Sequence, residues 1–250
     1  MTRKLYLNLF IILALVGLLG ALSGCKGNRL ISRDEEIRIG RQAGDEFEAR
    51  YGRDPNSQVR AKVNRIGANI VRVAQPPNYP YEYRVLADSQ TNAVAFPGGR
   101  IYIFRGMVEA LKGDPDKIAW VLAHETTHVA RQHAVRRLER QLGQQIAIEL
   151  LLGEKKDVAK IAGLISDLVV LDYGRDKEYE ADRMGMFYAH EAGYDPTAAV
   201  AVLEMFQEIQ GRDPNDLAIM FATHPGNNDR INHAKRYLDN QGWTGHYYSP

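Results

Sequence analysis

The stretch Ala123-His124-Glu125-Thr126-Thr127-His128-Val129 reads H-E-x-x-H inside an apolar-periodic run from Asp116 to about Arg137. Ile118, Val121, Leu122, Glu125 and Val129 recur at spacings of three and four, which predicts a helix. Residues four apart on a helix lie one above the other, so His124 and His128 can offer two imidazole nitrogens to one metal ion. Glu125 is one step further round, beside such an ion and not on it, where a general base for a metal-activated water stands. Zinc suits this pattern: it takes two imidazoles and a carboxylate and leaves a fourth position for water. The preceding Lys117-Ile118-Ala119-Trp120-Val121-Leu122-Ala123 is nearly all apolar, so the histidines ride on a core helix. Buried polar groups need partners, and a metal is one. On the motif alone, two half-buried helix histidines beside a solvated Glu125 remain the plain alternative.

Upstream of the motif, Asp34 to Tyr51 reads as an amphipathic helix with Asp34, Glu35 and Glu36 in its first turn. Ser57 to Val73 reads as a second helix, with Val59, Val63, Ile66, Ile70 and Val73 on one stripe. Tyr81 to Leu86 alternates as a strand. Asn92 to Phe96 and Arg100 to Phe104 are apolar runs joined by Pro97-Gly98-Gly99, which predicts a hairpin or a sharp strand connection. Asn92, Ala93, Val94 and Ala95 are then either plain sheet scaffold or an edge strand that hydrogen-bonds an extended polypeptide. A short helix from Gly106 to Lys112 ends at Gly113-Asp114-Pro115.

Downstream, the apolar runs Ile146 to Leu152 and Val158 to Leu171 read as core or helical-hairpin packing, or as a mobile cover over the cleft or a membrane-touching segment. Arg175-Asp176-Lys177-Glu178-Tyr179-Glu180-Ala181-Asp182-Arg183 is a charged entry into a further helix. Glu178 and Asp182 share a face that Met186 and Ala189 continue inward, and carboxylates on an inward face need partners. The economical account makes Glu178 the third metal ligand. Asp182 then accepts from the outer nitrogen of a ligand histidine. On spacing alone Glu178 leads Glu180 by a narrow margin. Asp195-Pro196 opens a helix carrying Ala199, Val202, Leu203 and Phe206, and the tail after Asn240 reads as irregular.

His124-Glu125-x-x-His128 followed by Glu178-x-x-x-Asp182 resembles the gluzincin zinc metallopeptidase family of the CAAX prenyl endopeptidase, HtpX, BepA and LoiP. Asn92-Ala93-Val94-Ala95-Phe96-Pro97-Gly98-Gly99, Ala181-Asp182-Arg183, and Thr223-His224-Pro225 with Arg230 are similar to further segments of it. The likeness runs from about Asp34 to Tyr237, and the lipidated form resembles the LoiP-type lipoprotein peptidases most. It implies an α+β, mainly helical, zincin-like fold with a small sheet whose edge strand lies beside the H-E-x-x-H helix. It also implies a zinc-dependent metalloendopeptidase with one zinc ion per chain. His224 is implied near the zinc, either as a fourth ligand that keeps the enzyme latent or as a stabiliser of the oxyanion. His133 has a family counterpart, but on a continuous helix it stands about 140° from His128 and is not expected to bind the same ion.

The amino terminus predicts export. Arg3 and Lys4 precede an uncharged apolar run from Leu5 to Gly24, whose length also allows an uncleaved transmembrane anchor, but Leu22-Ser23-Gly24-Cys25 resembles a bacterial lipobox and favours a lipoprotein signal. The expectation is a signal peptide over 1–24, a tether over 25–33 lipidated at Cys25, one domain over 34–240 and a tail over 241–250. Cys25 is the single cysteine, so no internal disulfide is available. Lys26 follows it in place of Asp, which by resemblance implies the outer membrane facing the periplasm in a Gram-negative cell. The 32 basic and 31 acidic residues fall to a side-chain balance of −1 once Arg3 and Lys4 leave with the signal, since 30 basic then face 31 acidic. That near-neutral balance gives no electrostatic footprint for nucleic acid. The expected partners are unfolded or membrane-associated polypeptides and the membrane itself; the sequence leaves the oligomeric state open.

Overall fold

The computed structural model describes residues 31–74, 79–140, 173–212, 224 and 228–249. Cys25, the proposed signal and most of the tether, and the apolar runs at 146–152 and 158–171 lie outside the described residues. Among the described residues no helix is long and apolar enough to cross a membrane.

Helix α1 (Arg33–Tyr51) begins with a capping box: Ser32 Oγ accepts from Glu35 N–H, and Glu35 Oε2 accepts from Ser32 N–H at 2.9 Å. Helix α2 (Ser57–Val73) is capped by Asn56, whose Oδ1 accepts from the amides of Gln58 and Val59 at 3.0 and 3.1 Å. Strands β1 (Glu82–Leu86), β2 (Ala93–Ala95) and β3 (Arg100–Phe104) form one mixed sheet in the order β1-β3-β2. β1 runs parallel to β3, and β2 pairs antiparallel to it with Val94 opposite Tyr102. The Pro97–Gly99 turn makes the expected hairpin. Its Gly98 has φ +76°, and a Cβ there would stand 2.5 Å from Ile37 Cα, so a side chain would push the turn off α1.

The sheet is covered on both faces. Ile101 and Ile103 of β3 join the large apolar cluster of α2 and the motif helix, while Tyr102 and Phe104 join Ile39, Ala43 and Phe47 of α1. The two-residue alternation of a strand produces that division. Beyond β3 lie the short α3 (Arg105–Ala110) and then α4 (Pro115–Ala130), the motif helix. Asp114 caps α4 by accepting from Asp116 and Lys117 amides, with Pro115 in the first turn.

α4 ends at Ala130, which corrects the expectation of one helix to about Arg137. Gln132 adopts φ +57°, and a separate helix, α5, runs over 133–140. No glycine or proline marks this break. It is held by tertiary contacts: Gln132 Nε2 donates to buried Glu36 and to the Tyr79 hydroxyl, both at 2.7 Å. Such contacts offset the cost of a left-handed non-glycine residue.

Helices α6 (Arg175–Glu191), α7 (Ala198–Arg212) and α8 (Asn228–Gln241) complete the described fold. α6 lies against α4 where Gly185 meets His124: a Cβ on Gly185 would come within 3.1 Å of the His124 amide nitrogen. That close approach carries the inward face of α6, including Glu178 and Asp182, up to the histidines. The segment after Gln241 is irregular but attached, with Trp243 stacked on His190 and the Tyr247 hydroxyl donating to Asp114 at 2.7 Å.

Candidate metal centre

His124 and His128 point their Nε2 atoms to the same place, 3.1 Å apart. Glu178 reaches it from α6, with Oε2 3.5 Å from His124 Nε2 and Oε1 3.4 Å from His128 Nε2. His224 reaches it from the segment before α8, with Nδ1 3.3 Å from His124 Nε2 and 3.1 Å from Glu178 Oε1. All four residues are buried, Glu178 completely. The edge of a tetrahedron built on zinc bonds of about 2.0–2.1 Å is about 3.3 Å, so these separations match what one ion needs. The donor chemistry fits as well. His124 Nδ1 faces Asp182 Oδ1 at 3.0 Å and His224 Nε2 faces Glu125 Oε1 at 3.4 Å, so neutral imidazoles that spend their single N–H outward meet lone pair to lone pair inside, and a cation resolves the conflict.

A buried arginine offsets part of the carboxylate charge around the cluster. Arg230 on α8 donates to Asp182 from Nε at 2.8 Å and Nη2 at 2.6 Å, and its Nη1 lies 3.0 Å from Glu178 Oε2. Burial works against charge on Glu178 and Asp182. His224 and Arg230 nevertheless hold Glu178 well below the usual carboxylate range, and Arg230 holds Asp182 low. Asp182 Oδ1 also lies 3.0 Å from His124 Nδ1. Burial opposes charge on His124, but Asp182 and Glu178 raise its pKa to about 9, while burial drives that of His128 well below its ordinary value.

Glu125 lies beside the four, not among them. Its Oε1 is 3.4 Å from His224 Nε2, and its buried Oε2 has no hydrogen-bond partner among the described residues. Burial raises its pKa. A small, mostly apolar cavity opens here, lined by Ala93, Met107, Trp120, Val121 and Phe206 together with His124, Glu125 and His224.

A profile of peptidase family M48 matches residues 57–238. The chain belongs to that family. Zinc is the cofactor of M48 peptidases, and the buried group His124, His128, Glu178 and His224 suits it. The chain is also similar to curated relatives within the peptidase class. It is 27% identical over 212 residues to the mitochondrial metalloendopeptidase OMA1 of Schizosaccharomyces pombe, covering 83% of this chain and 62% of that protein. It is 28% identical over 186 residues to the beta-barrel assembly-enhancing protease of Yersinia pestis, covering 69% and 37%. It is 23% identical over 192 residues to the metalloprotease YcaL of Escherichia coli K12, covering 73% and 74%. The first two are thus matched over less than two thirds of their own length.

The four residues expected on the substrate strand of this M48 chain part company. Ala93 borders the cavity with Glu125, Ala95 lines the far side of the site with His128 and Tyr173, and Val94 turns away into the cluster under α1. Asn92 is buried, and its carbonyl accepts from Phe104 N–H. Glu180, the narrow alternative to Glu178 on spacing, stays outside the cluster and pairs with Lys177, Arg131 and His133. Three contributors were not assigned from sequence. Arg230 was noted only for its likeness to the family. Tyr173 stacks on His128 with ring centres 4.1 Å apart. His133 Nδ1 lies 2.9 Å from His128 Nδ1, and burial lowers its pKa to about 4. A continuous helix excludes that last contact; the break at Gln132 creates it.

Proposed function

We propose that this chain is a zinc-dependent endopeptidase in which His124, His128 and Glu178 hold the metal and Glu125 is the general base. One observation carries the reading: a buried carboxylate with an oxygen unpartnered among the described residues stands directly beside a convergent set of metal-ligand atoms. A purely structural site has no use for it. When bound, zinc supplies a Lewis acid that activates water and polarises the scissile carbonyl. Glu125 takes the proton of the attacking water on Oε2 and passes it to the leaving amine, and the burial that raises its pKa makes it a better proton acceptor. Asp182 and Arg230 hold His124 in orientation. His224, whose Nε2 faces Glu125, would either hold the metal as a further ligand and keep the enzyme latent or donate to the oxyanion.

Substrate binding follows from the sheet. The bonds Phe96 N–H to Arg100 O and Phe104 N–H to Asn92 O alternate along the hairpin, so Ala93 and Ala95 turn their backbone groups to the outer edge. An extended polypeptide pairs there, with an apolar side chain in the cavity of Met107, Trp120, Val121 and Phe206. The substrate class we favour is unfolded or misfolded envelope protein. It is supported by the lipobox-like Leu22-Ser23-Gly24-Cys25 with Lys26 after it, which reads as an outer-membrane lipoprotein facing the periplasm in a Gram-negative cell, and by the likeness to a beta-barrel assembly-enhancing protease.

A second reading, a lipid-anchored chaperone-like or scaffold protein with a latent or structural zinc, is favoured by His224 closing the ligand set, since structural zinc sites are closed. Glu125→Gln separates the two. The proposal expects zinc retained at parental stoichiometry and casein cleavage reduced about 10²–10⁴-fold. Cleavage at the parental rate rules out Glu125 as base, and no cleavage by the parent, with zinc bound, favours the second reading.

A further inference from the structure

The outer nitrogens of the two motif histidines face different partners. His124 Nδ1 faces the Asp182 carboxylate at 3.0 Å. His128 Nδ1 faces another imidazole, His133 Nδ1, at 2.9 Å. Counting protons fixes the direction of that contact. His128 turns Nε2 to the ligand cluster, 3.1 Å from His124 Nε2 and 3.4 Å from Glu178 Oε1. If that nitrogen gives its lone pair to a metal, the single proton of neutral His128 sits on Nδ1. His133 Nδ1 must then accept, which leaves the proton of His133 on Nε2. That atom lies 3.3 Å from Glu180 Oε2, an acceptor. The chain His128 Nδ1–H to His133, then His133 Nε2–H to Glu180, uses each proton once and leaves no group with two roles.

The surroundings hold this chain in register. The His133 side chain is 1% exposed and the Glu180 side chain 26%. Glu180 is kept in place by Arg131 Nε at 3.2 Å and Lys177 Nζ at 3.3 Å. His133 reaches back to His128 because α4 stops and Gln132 takes φ +57°, the turn that Glu36 and Tyr79 anchor.

We propose that His133 is a positioning residue for the metal centre: it fixes the His128 tautomer that leaves Nε2 free for zinc, and Glu180 fixes the tautomer of His133 in turn. This rests on His128 being a zinc ligand. The test is zinc affinity, measured by chelator competition on the purified full chain, with cobalt(II) absorption as a second readout. His133→Asn and His133→Leu install side chains of the same branching and heavy-atom count, but only Asn keeps an acceptor near the Nδ1 position. His133→Leu is expected to weaken zinc binding about 10–100-fold and to shift the cobalt bands. His133→Asn is expected to stay within a few-fold of the parent with the parental spectrum. Equal affinity of the two variants overturns the proposal. Should His133→Leu not fold, as judged by circular dichroism of the metal-free protein, Glu180→Ala decides at a half-exposed position: a several-fold weaker affinity supports the chain and no change overturns it. His128→Ala separates the two layers. If that variant binds zinc like the parent, the ligand reading itself fails; if it loses zinc while the His133 variants agree with each other, only the positioning role fails.

Discussion

Helices α4 and α6 meet at His124 and Gly185, and each brings two polar side chains to that meeting by a different route. α4 is largely apolar: every residue from Ile118 to Ala130 is buried, and its histidines, with Glu125, Thr126 and Thr127 between them, are polar groups in a core helix. α6 opens on a run of charge, and of its first four acidic residues only Glu178 and Asp182 are buried. On α4 the geometry of the site is local, because two histidines four apart share a face wherever the helix goes. On α6 it is tertiary. Glu178 and Asp182 tolerate burial because Arg230, from a helix some fifty residues later, sits between them. The first half of the site is written in a pentapeptide, and the second half exists only after packing.

The largest effect should come from removing the cation that makes α6 possible. Arg230→Met leaves two carboxylates buried with only histidines for company, and the metal-free protein is expected to lose about 3–5 kcal/mol in urea unfolding. A loss below about 1 kcal/mol would mean that α6 packs without it and that the contrast between the helices is false.

The pH dependence of metal-free stability comes next, and the histidines of α4 give opposite signs. His124 has its folded pKa raised to about 9, so its contribution is complete below about 6.5 and is lost as pH rises through 9. That loss is on the order of 3 kcal/mol, and His124→Gln should flatten the alkaline limb. His128 is held neutral by burial, so it contributes above about 6.5 and costs stability as pH falls below that value. Glu178 and Asp182, with lowered folded values, contribute above about pH 4 and lose that contribution as pH falls further. A dome with both limbs is expected. A chelated protein whose stability is flat from pH 6 to 9 would contradict the His124 assignment.

Gly185→Ala acts where the helices touch. Its Cβ meets the His124 backbone at 3.1 Å, so α6 must shift, at about 1–3 kcal/mol, with weaker zinc binding. Unchanged affinity would show that the two helices can separate without disturbing the ligands.

What could be read from the chain follows the same division. The spacing in Ser57 to Val73 gave the limits of α2, and Pro97-Gly98-Gly99 announced the hairpin. The inward face of α6 was legible from Glu178, Asp182, Met186 and Ala189, but its margin over Glu180 was narrow because helix spacing does not report what stands opposite. The break after Ala130 was not legible: Gln132 has no turn chemistry of its own, and its left-handed backbone depends on Glu36, ninety-six positions earlier. Missing it also hid the contact between His133 and His128. Arg230 and Tyr173 escaped for the same reason, since nothing within a few residues of either one carries its partner.

The most direct test of the central claim, that α6 completes a metal site begun on α4, is zinc stoichiometry by elemental analysis of Glu178→Ala beside Glu180→Ala, each purified without chelator. The account predicts that Glu178→Ala holds far less than one zinc per chain while Glu180→Ala stays near one. Full zinc in Glu178→Ala, or equal loss in both, would contradict it.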